Sequence, residues 1–209
     1  MNWNWNEEKT ARWITPAMEI PWLAKRWKEK DFQNVLDNGC GPGRHAICFA
    51  KEGLKTVGFD KSVEALTYLS NWARKEELDI VCLEGDIAQM PFEDESFEGV
   101  LDYNASYHTD TPGFFRAVSE IRRVLKPGGE LYITLLSQND SGFLSAPPEA
   151  HIDAFTLSHS GSTPHFYGKK ESFGEIFAGF RVENLREIKA AAIDSGEERT
   201  HYHILLQKI

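Results

Sequence analysis

From about residue 33 the chain alternates short apolar runs with stretches in which apolar residues recur every three or four positions, so strands and helices are expected in turn. Val35 and Leu36 open a short strand. A helix follows from Arg44 to Glu52, with Ala46, Ile47, Phe49 and Ala50 on one side and Gly53 where a C-terminal cap belongs. Thr56 to Phe59 is a second strand, ending at Asp60. Ser62 caps a helix reaching about Glu76, with Leu66, Leu69 and Ala73 at helical spacing, and Ile80 to Leu83 is a third strand. A loop from Met90 leads into a fourth strand ending near Asp102. The next helix, Thr111 to Leu125, places Phe114, Val118, Ile121 and Leu125 on one stripe, and the Lys126-Pro127-Gly128-Gly129 turn leads to a fifth strand, Glu130 to Leu136. A helix around Lys170 to Phe177 and strands from Phe180 to about Arg186 and from His201 to Gln207 close the chain. Strands alternating with helices in this way read as βαβ units, and so as an α/β domain.

The rhythm fails in two places. Residues 1 to 13 carry Trp3, Trp5 and Trp13 among polar neighbours, and are expected to be a mobile or docking segment. Thr15-Pro16 then starts a helix running to about Glu29, with Ile20, Leu23 and Trp27 on one face. Residues 1–30 thus form an N-terminal helical appendage, whose tryptophans either pack at the edge of the core or cover a substrate as a lid. The second break is Ser137 to Gly168, rich in Ser, Gly, Pro and His. It follows the fifth strand, whose carboxyl end lies on the rim where open α/β sheets bind ligands, so it is expected to be a substrate-facing insertion in a single domain spanning residues 1–209. Its most distinctive piece is Thr163-Pro164-His165-Phe166-Tyr167.

Composition narrows the class. The 209 residues are 41% hydrophobic and 26% charged, ordinary globular values, and no run is long and apolar enough to span a membrane. The N-terminus has neither the basic start nor the apolar core of a secretory signal, so a cytoplasmic location is expected. Three cysteines, Cys40, Cys48 and Cys82, form no CxxC pair and suit a reducing compartment. A net charge of −9 repels phosphate backbones, and nucleic acid is not an expected partner. The spacings of His151, His159 and His165 match no common metal motif, so no metal is expected.

The candidate chemistry gathers at Val35-Leu36-Asp37-Asn38-Gly39-Cys40-Gly41-Pro42-Gly43-Arg44-His45. Glycines at 39, 41 and 43 allow positive φ and close approach of a ligand, ahead of a helix N-terminus with free N–H groups. A plain strand-to-helix turn is the competing account. Asp60 ends the second strand, where a carboxylate can accept from both hydroxyls of a ribose or can serve only as helix-start chemistry. Asp86 follows the third strand. It can accept from the exocyclic amine of adenine while Ile87 covers the ring, or it is a solvated turn residue.

Taken together, LDNGCGPGRH, the Asp60 strand end, GDIAQMPFEDESFEGVLDY and EIRRVLKPGGELYIT resemble the successive motifs of class I S-adenosylmethionine-dependent methyltransferases. The likeness covers roughly residues 33 to 136 and is nearest the small-molecule, ubiquinone/menaquinone methyltransferase-like group. It implies a doubly wound, seven-stranded, mostly parallel sheet with helices on both faces, a Rossmann-like methyltransferase fold with its last strand antiparallel. It also implies S-adenosyl-L-methionine as cofactor and in-line methyl transfer to a small-molecule acceptor. The residues it assigns to the cofactor are Asp37, Gly39, Cys40, Gly41, Gly43, Asp60, Lys61, Asp86, Ile87 and Asn104.

After the fourth strand the sequence is Tyr103-Asn104-Ala105-Ser106-Tyr107, which departs from the Asn/Asp-Pro-Pro-aromatic motif of enzymes that methylate nucleobase amines. His108 is the catalytic candidate, as a base for an attacking hydroxyl, thiol or amine; alignment alone can also carry such transfers. Tyr107, His108, His165 and Tyr167 are the candidate substrate residues. Tyr103 and Tyr107 can meet a sulfonium through their rings or simply pack. Two other classes stay open. A nicotinamide oxidoreductase would use a similar loop, but the third glycine of its fingerprint is replaced by Arg44. A non-catalytic cofactor-binding or partner-regulating protein can share the same fold.

Overall fold

Both faces of the central strands are apolar, which lets helices cover the sheet on two sides. The computed structural model describes residues 14–158, 162–191 and 198–209. Five parallel strands are β1 (Asn34–Asn38), β2 (Lys55–Asp60), β3 (Ile80–Glu84), β4 (Phe97–Asp102) and β5 (Leu125–Ser137). Two short strands, β6 (Thr156–Leu157) and β7 (His165–Gly168), precede the C-terminal hairpin of β8 (Phe180–Ala191) and β9 (Glu198–Lys208). The main sheet has the order β3-β2-β1-β4-β5-β9-β8, and β9, antiparallel to both its neighbours, is its one reversed strand. This is the sheet expected from sequence, with the β6–β7 hairpin added on its rim.

Side-chain alternation sorts the core. Val35, Leu101, Tyr132 and Leu205 face α1 (Ile20–Glu29) and Phe49 of α2 (Arg44–Lys51), while α3 (Val63–Lys75) packs beside α2 through Leu66 and Leu69. Leu36, Val100, Leu131, Ile133, Ile204 and Leu206 point the other way, onto Phe114, Val118 and Ile121 of α4 (Thr111–Val124). Gly99 lets the Trp27 ring lie on β4, since a Cβ there would stand 2.9 Å from it.

Helix α1 starts at Ile20 rather than at Thr15. Pro21 sits at its second position; were the helix to begin at Thr15, that ring would fall in its interior and clash with the preceding turn. The helix is anchored through a buried carboxylate: Glu130 accepts from Arg26 Nε and Nη2 at 2.9 and 2.7 Å and from Trp27 Nε1 at 3.0 Å, and pairs with Lys30 Nζ at 2.8 Å. Burial opposes ionisation of Glu130, yet these donors hold its pKa below the usual carboxylate range. Further on, the expected helix near residue 170 is a 3₁₀ turn, Lys170–Ser172, followed by one short helix, Phe173–Ile176. Strands β8 and β9 run past their expected ends because they pair with each other from Phe180↔Lys208 to Ala191↔Glu198. The segment from Ser137 to Gly168 is not patternless: besides β6 and β7 it holds a short helix, Ser141–Leu144, and a 3₁₀ turn, Pro148–Ala150. The lid idea for residues 1 to 13 lies outside the described residues, as does His159.

Candidate functional site

The carboxyl ends of β1, β2, β3 and β4 share one rim, and backbone bonds stitch the loops after the first three together. Gly39 and Cys40 both donate to the Phe59 carbonyl, at 2.8 and 3.1 Å, and Gly85 donates to the Asp60 carbonyl at 3.1 Å. Gly39, Gly41 and Gly43 have φ of +69°, +53° and +88°. A Cβ on Gly39 would lie 2.4 Å from Ala105 Cβ, and one on Gly43 would run into Leu69 at 2.2 Å. These glycines thus serve backbone shape and packing together. Asp37 is buried and accepts from Ala46 N–H at 2.9 Å, tying β1 to the first turn of α2; burial lifts its pKa to about 7. Cys40 is buried, and its thiol is pushed well up by burial.

Asp60 takes Gly41 N–H on Oδ2 and Ser62 N–H on Oδ1, both at 2.8 Å. It therefore orders the glycine loop, and each carboxylate oxygen keeps a lone pair for a further donor. Lys61 beside it is exposed. Asp86 is exposed and uses Oδ1 to accept from Ala88 N–H at 2.8 Å, while Ile87 packs part-buried against the core. Asn104 has φ of +54°; its N–H donates to Thr134 Oγ1 at 2.8 Å, and its side-chain carbonyl accepts from the same hydroxyl at 2.9 Å. A glycine cradle, a carboxylate with spare lone pairs at the end of β2, and a second carboxylate beside an aliphatic residue after β3 form a donor and acceptor set that fits an adenosyl cofactor bearing an amino-acid tail.

One buried polar cluster under this loop escaped sequence reasoning. Asn38 and Asp102 are register partners on β1 and β4, and Asn38 Nδ2 donates to Asp102 Oδ2 at 2.7 Å. Asp102 also accepts from Ser106 N–H at 3.0 Å and from the Ser106 hydroxyl, which fixes the turn leading to His108. Burial raises the Asp102 pKa, and Asn38 Oδ1 is a buried acceptor with no partner among the described residues. The available signal was a polar pair, Asn38 and Asp102, at the ends of two strands that have to be neighbours.

Beyond the end of β4, β5 continues to Ser137 and the vacated edge is taken by β7, with Leu136↔Tyr167 and Ser137↔Gly168 in register. Phe166 N–H donates to the Tyr107 carbonyl at 2.8 Å, and the Phe166 ring stacks on Phe114 at 4.1 Å. The hairpin thereby brings His165 to His108, Nε2 to Nδ1 at 2.9 Å. The Tyr107 ring is 4.4 Å from that of His108 and 6.1 Å from that of His201 on β9. Burial, the like charge of His165 and that of Lys61 hold His108 at about 4; burial and His203 hold His201 at about 4. Both are neutral imidazoles at neutral pH. Tyr167 is buried and its ring meets Phe143 at 5.0 Å, whose other neighbour is His151.

Other residues named from sequence fall elsewhere. Tyr103 packs between His45 at 4.9 Å and the Arg44 guanidinium at 5.6 Å, with His203 at 5.9 Å. His203 pairs with Glu19 at 2.7 Å and meets the Tyr132 hydroxyl at 3.1 Å. Burial opposes ionisation of Glu19, but the bond and charge of His203, a backbone hydrogen bond and one to Tyr103 together outweigh it and draw the pKa down to about 2. No described helix is long and apolar enough to cross a membrane.

Comparison with known proteins adds three findings. The methyltransferase domain family matches residues 35–129. A sterol 24-C-methyltransferase of Schizosaccharomyces pombe, erg6, is 33% identical over 160 residues, 74% of this chain and 41% of that protein; an uncharacterized methyltransferase of the same yeast is 33% identical over 188 residues, covering 84% and 63%. The chain therefore spans less than two thirds of either relative. The crystal structure of Burkholderia thailandensis 1,6-didemethyltoxoflavin-N1-methyltransferase with bound 1,6-didemethyltoxoflavin and S-adenosylhomocysteine superposes with a TM-score of 0.68 at 13% identity, covering 97% of this chain and 80% of that one. At that identity the likeness concerns the fold.

Proposed function

Through residues 35–129 this chain belongs to the methyltransferase domain family, and on that premise we propose that it transfers a methyl group from S-adenosylmethionine to a small-molecule acceptor. The observation that carries the reading is the convergence of the Gly39–Gly43 loop, Asp60, Asp86 and Asn104 on one rim, the first three loops joined by hydrogen bonds and Asn104 held to β5 by Thr134. When bound, S-adenosylmethionine supplies a methyl group already activated on a sulfonium. The residues on the rim do the rest. Asp60 accepts from the ribose hydroxyls while Gly41 and Ser62 N–H groups hold it in place. Asp86 accepts from the adenine amine, with Ile87 against the ring. The glycine turn, steadied from beneath by Asp37 and Cys40, passes under the amino-acid portion; Asn104 meets it from β4 through its backbone, and Lys61 borders the ribose end.

The acceptor side is Tyr107, His108, His165 and Tyr167, the first and last buried and aromatic, which favours a partly apolar molecule. His108 is the base. The sterol enzyme among the relatives and the missing Asn/Asp-Pro-Pro motif both favour a small molecule over nucleic acid. Residues 137–168 form the acceptor-facing insertion of a single domain, and residues 1–30 its N-terminal appendage.

Thermal melting with S-adenosylmethionine, S-adenosylhomocysteine and NAD tests the cofactor. Each sulfur compound at a hundred times its Kd is expected to stabilise the fold by about 2.7 kcal/mol, and NAD to do nothing. Absence of a shift with both sulfur compounds refutes the reading. A screen of metabolites read out by the demethylated cofactor then identifies the acceptor.

A further inference from the structure

His108 and His165 are 57 residues apart in sequence, and the seating of β7 against the end of β5 and the Tyr107 carbonyl brings them together. Their rings are edge to face, with centroids 4.8 Å apart, and the facing atoms are His108 Nδ1 and His165 Nε2, separated by 2.9 Å. A neutral imidazole has one N–H and one lone pair, so at this distance one ring donates to the other. Among the described residues, the titratable groups facing His108 are His165 from β7, Lys61 from the loop after β2, and Tyr107, which stands between His108 and His201 of β9. Two of these are basic and none is a carboxylate, so together with burial they disfavour a standing imidazolium on His108, against the Asn104 backbone bond that favours it.

We propose, on the methyl-transfer reading above, that His165 Nε2 accepts from His108 Nδ1–H and so is a positioning residue that holds His108 in the tautomer whose Nε2 lone pair takes the acceptor's proton. Which ring nitrogen carries the proton is set by the bond the other one makes. His165 fills here the orienting place that a carboxylate fills in a Ser–His–Asp triad, without adding a negative charge beside a cationic methyl donor. In the step, the acceptor's X–H heteroatom bonds to the methyl carbon, the carbon–sulfur pair departs with sulfur, and the X–H proton passes to His108 Nε2.

Imidazole ¹⁵N NMR of the full chain reads the tautomer directly. The expected result is His108 as the Nδ1–H tautomer in the wild type, a shift toward Nε2–H in His165→Phe, and recovery in His165→Gln, whose amide carbonyl can accept the same bond. His108 as Nε2–H in the wild type, or a tautomer unchanged in a folded His165→Phe, overturns the proposal. The wild-type spectrum decides even where a variant fails to fold. Calorimetry with S-adenosylmethionine on the same wild-type sample separates the two levels: absence of binding removes the methyl-transfer reading, while the tautomer is judged by NMR alone.

Discussion

At the scale of single residues, Gly39 and Asp60 are tightly constrained positions of the rim. Gly39 combines a φ of +69° with a Cβ position 2.4 Å from Ala105, so an added methyl group meets both backbone strain and a collision. Gly39→Ala is expected to lower stability by about 2 kcal/mol, in the range for strain at a special backbone conformation plus overpacking, as read from a urea midpoint. Asp60→Asn keeps an acceptor for one of the two N–H groups but loses the charge. Its S-adenosylmethionine Kd is expected to rise at least about tenfold in calorimetry, since a hydrogen bond to a charged group contributes about 1.5–3 kcal/mol. Both positions were legible in the sequence, because a glycine triplet after an apolar strand and an acid after the next strand are local signals. The Asn38–Asp102–Ser106 cluster was not, since its members lie 64 and 4 positions apart and only the register of β1 on β4 joins them.

At the scale of elements, α1 shows how one buried acceptor can hold a helix to a sheet. Its face of Ile20, Leu23 and Trp27 was legible from helical spacing, but its anchor on β5 was not. Glu130→Ala strands Arg26 and Lys30 and leaves the Trp27 indole N–H buried without its acceptor. With the two cations 29% and 34% exposed and able to regain water, the expected loss is about 2 kcal/mol, below that of a fully buried pair. Glu130→Gln should recover part of it by restoring the acceptor for Trp27, and indole fluorescence along a denaturant titration measures both. The β6–β7 hairpin carries the opposite lesson. Two- and four-residue strands are too short to show a period, and they exist because β5 outruns β4 and leaves an edge to be paired.

At the scale of the whole molecule, the buried titratable groups set how stability depends on pH. His108 and His201 titrate near 4 in the fold and at their ordinary value of 6.5 when unfolded. Between those values the unfolded chain binds more protons, so these two groups make stability rise as pH climbs from about 4 to 6.5. Asp37, lifted from 3.8 to about 7 by burial, has the reverse sign and makes stability fall as pH climbs through the same window. Urea midpoints across pH 4 to 7 are therefore expected to slope upward less steeply in His201→Gln than in the wild type, and more steeply in Asp37→Asn. Equal slopes in all three would mean that these groups titrate alike in both states.

The sequence by itself determined the βαβ rhythm, the glycine loop and the carboxylates that follow the second and third strands. Each rests on neighbours within a few residues, where strand alternation, helical spacing and backbone freedom act directly. The tertiary structure alone decided that Glu130 anchors α1, that Asp102 ties the fourth strand's exit turn to Asn38, and that His165 reaches His108. Those depend on which strands lie side by side and where each one ends, and such long-range register is fixed by packing the entire sheet, not by any single stretch of chain.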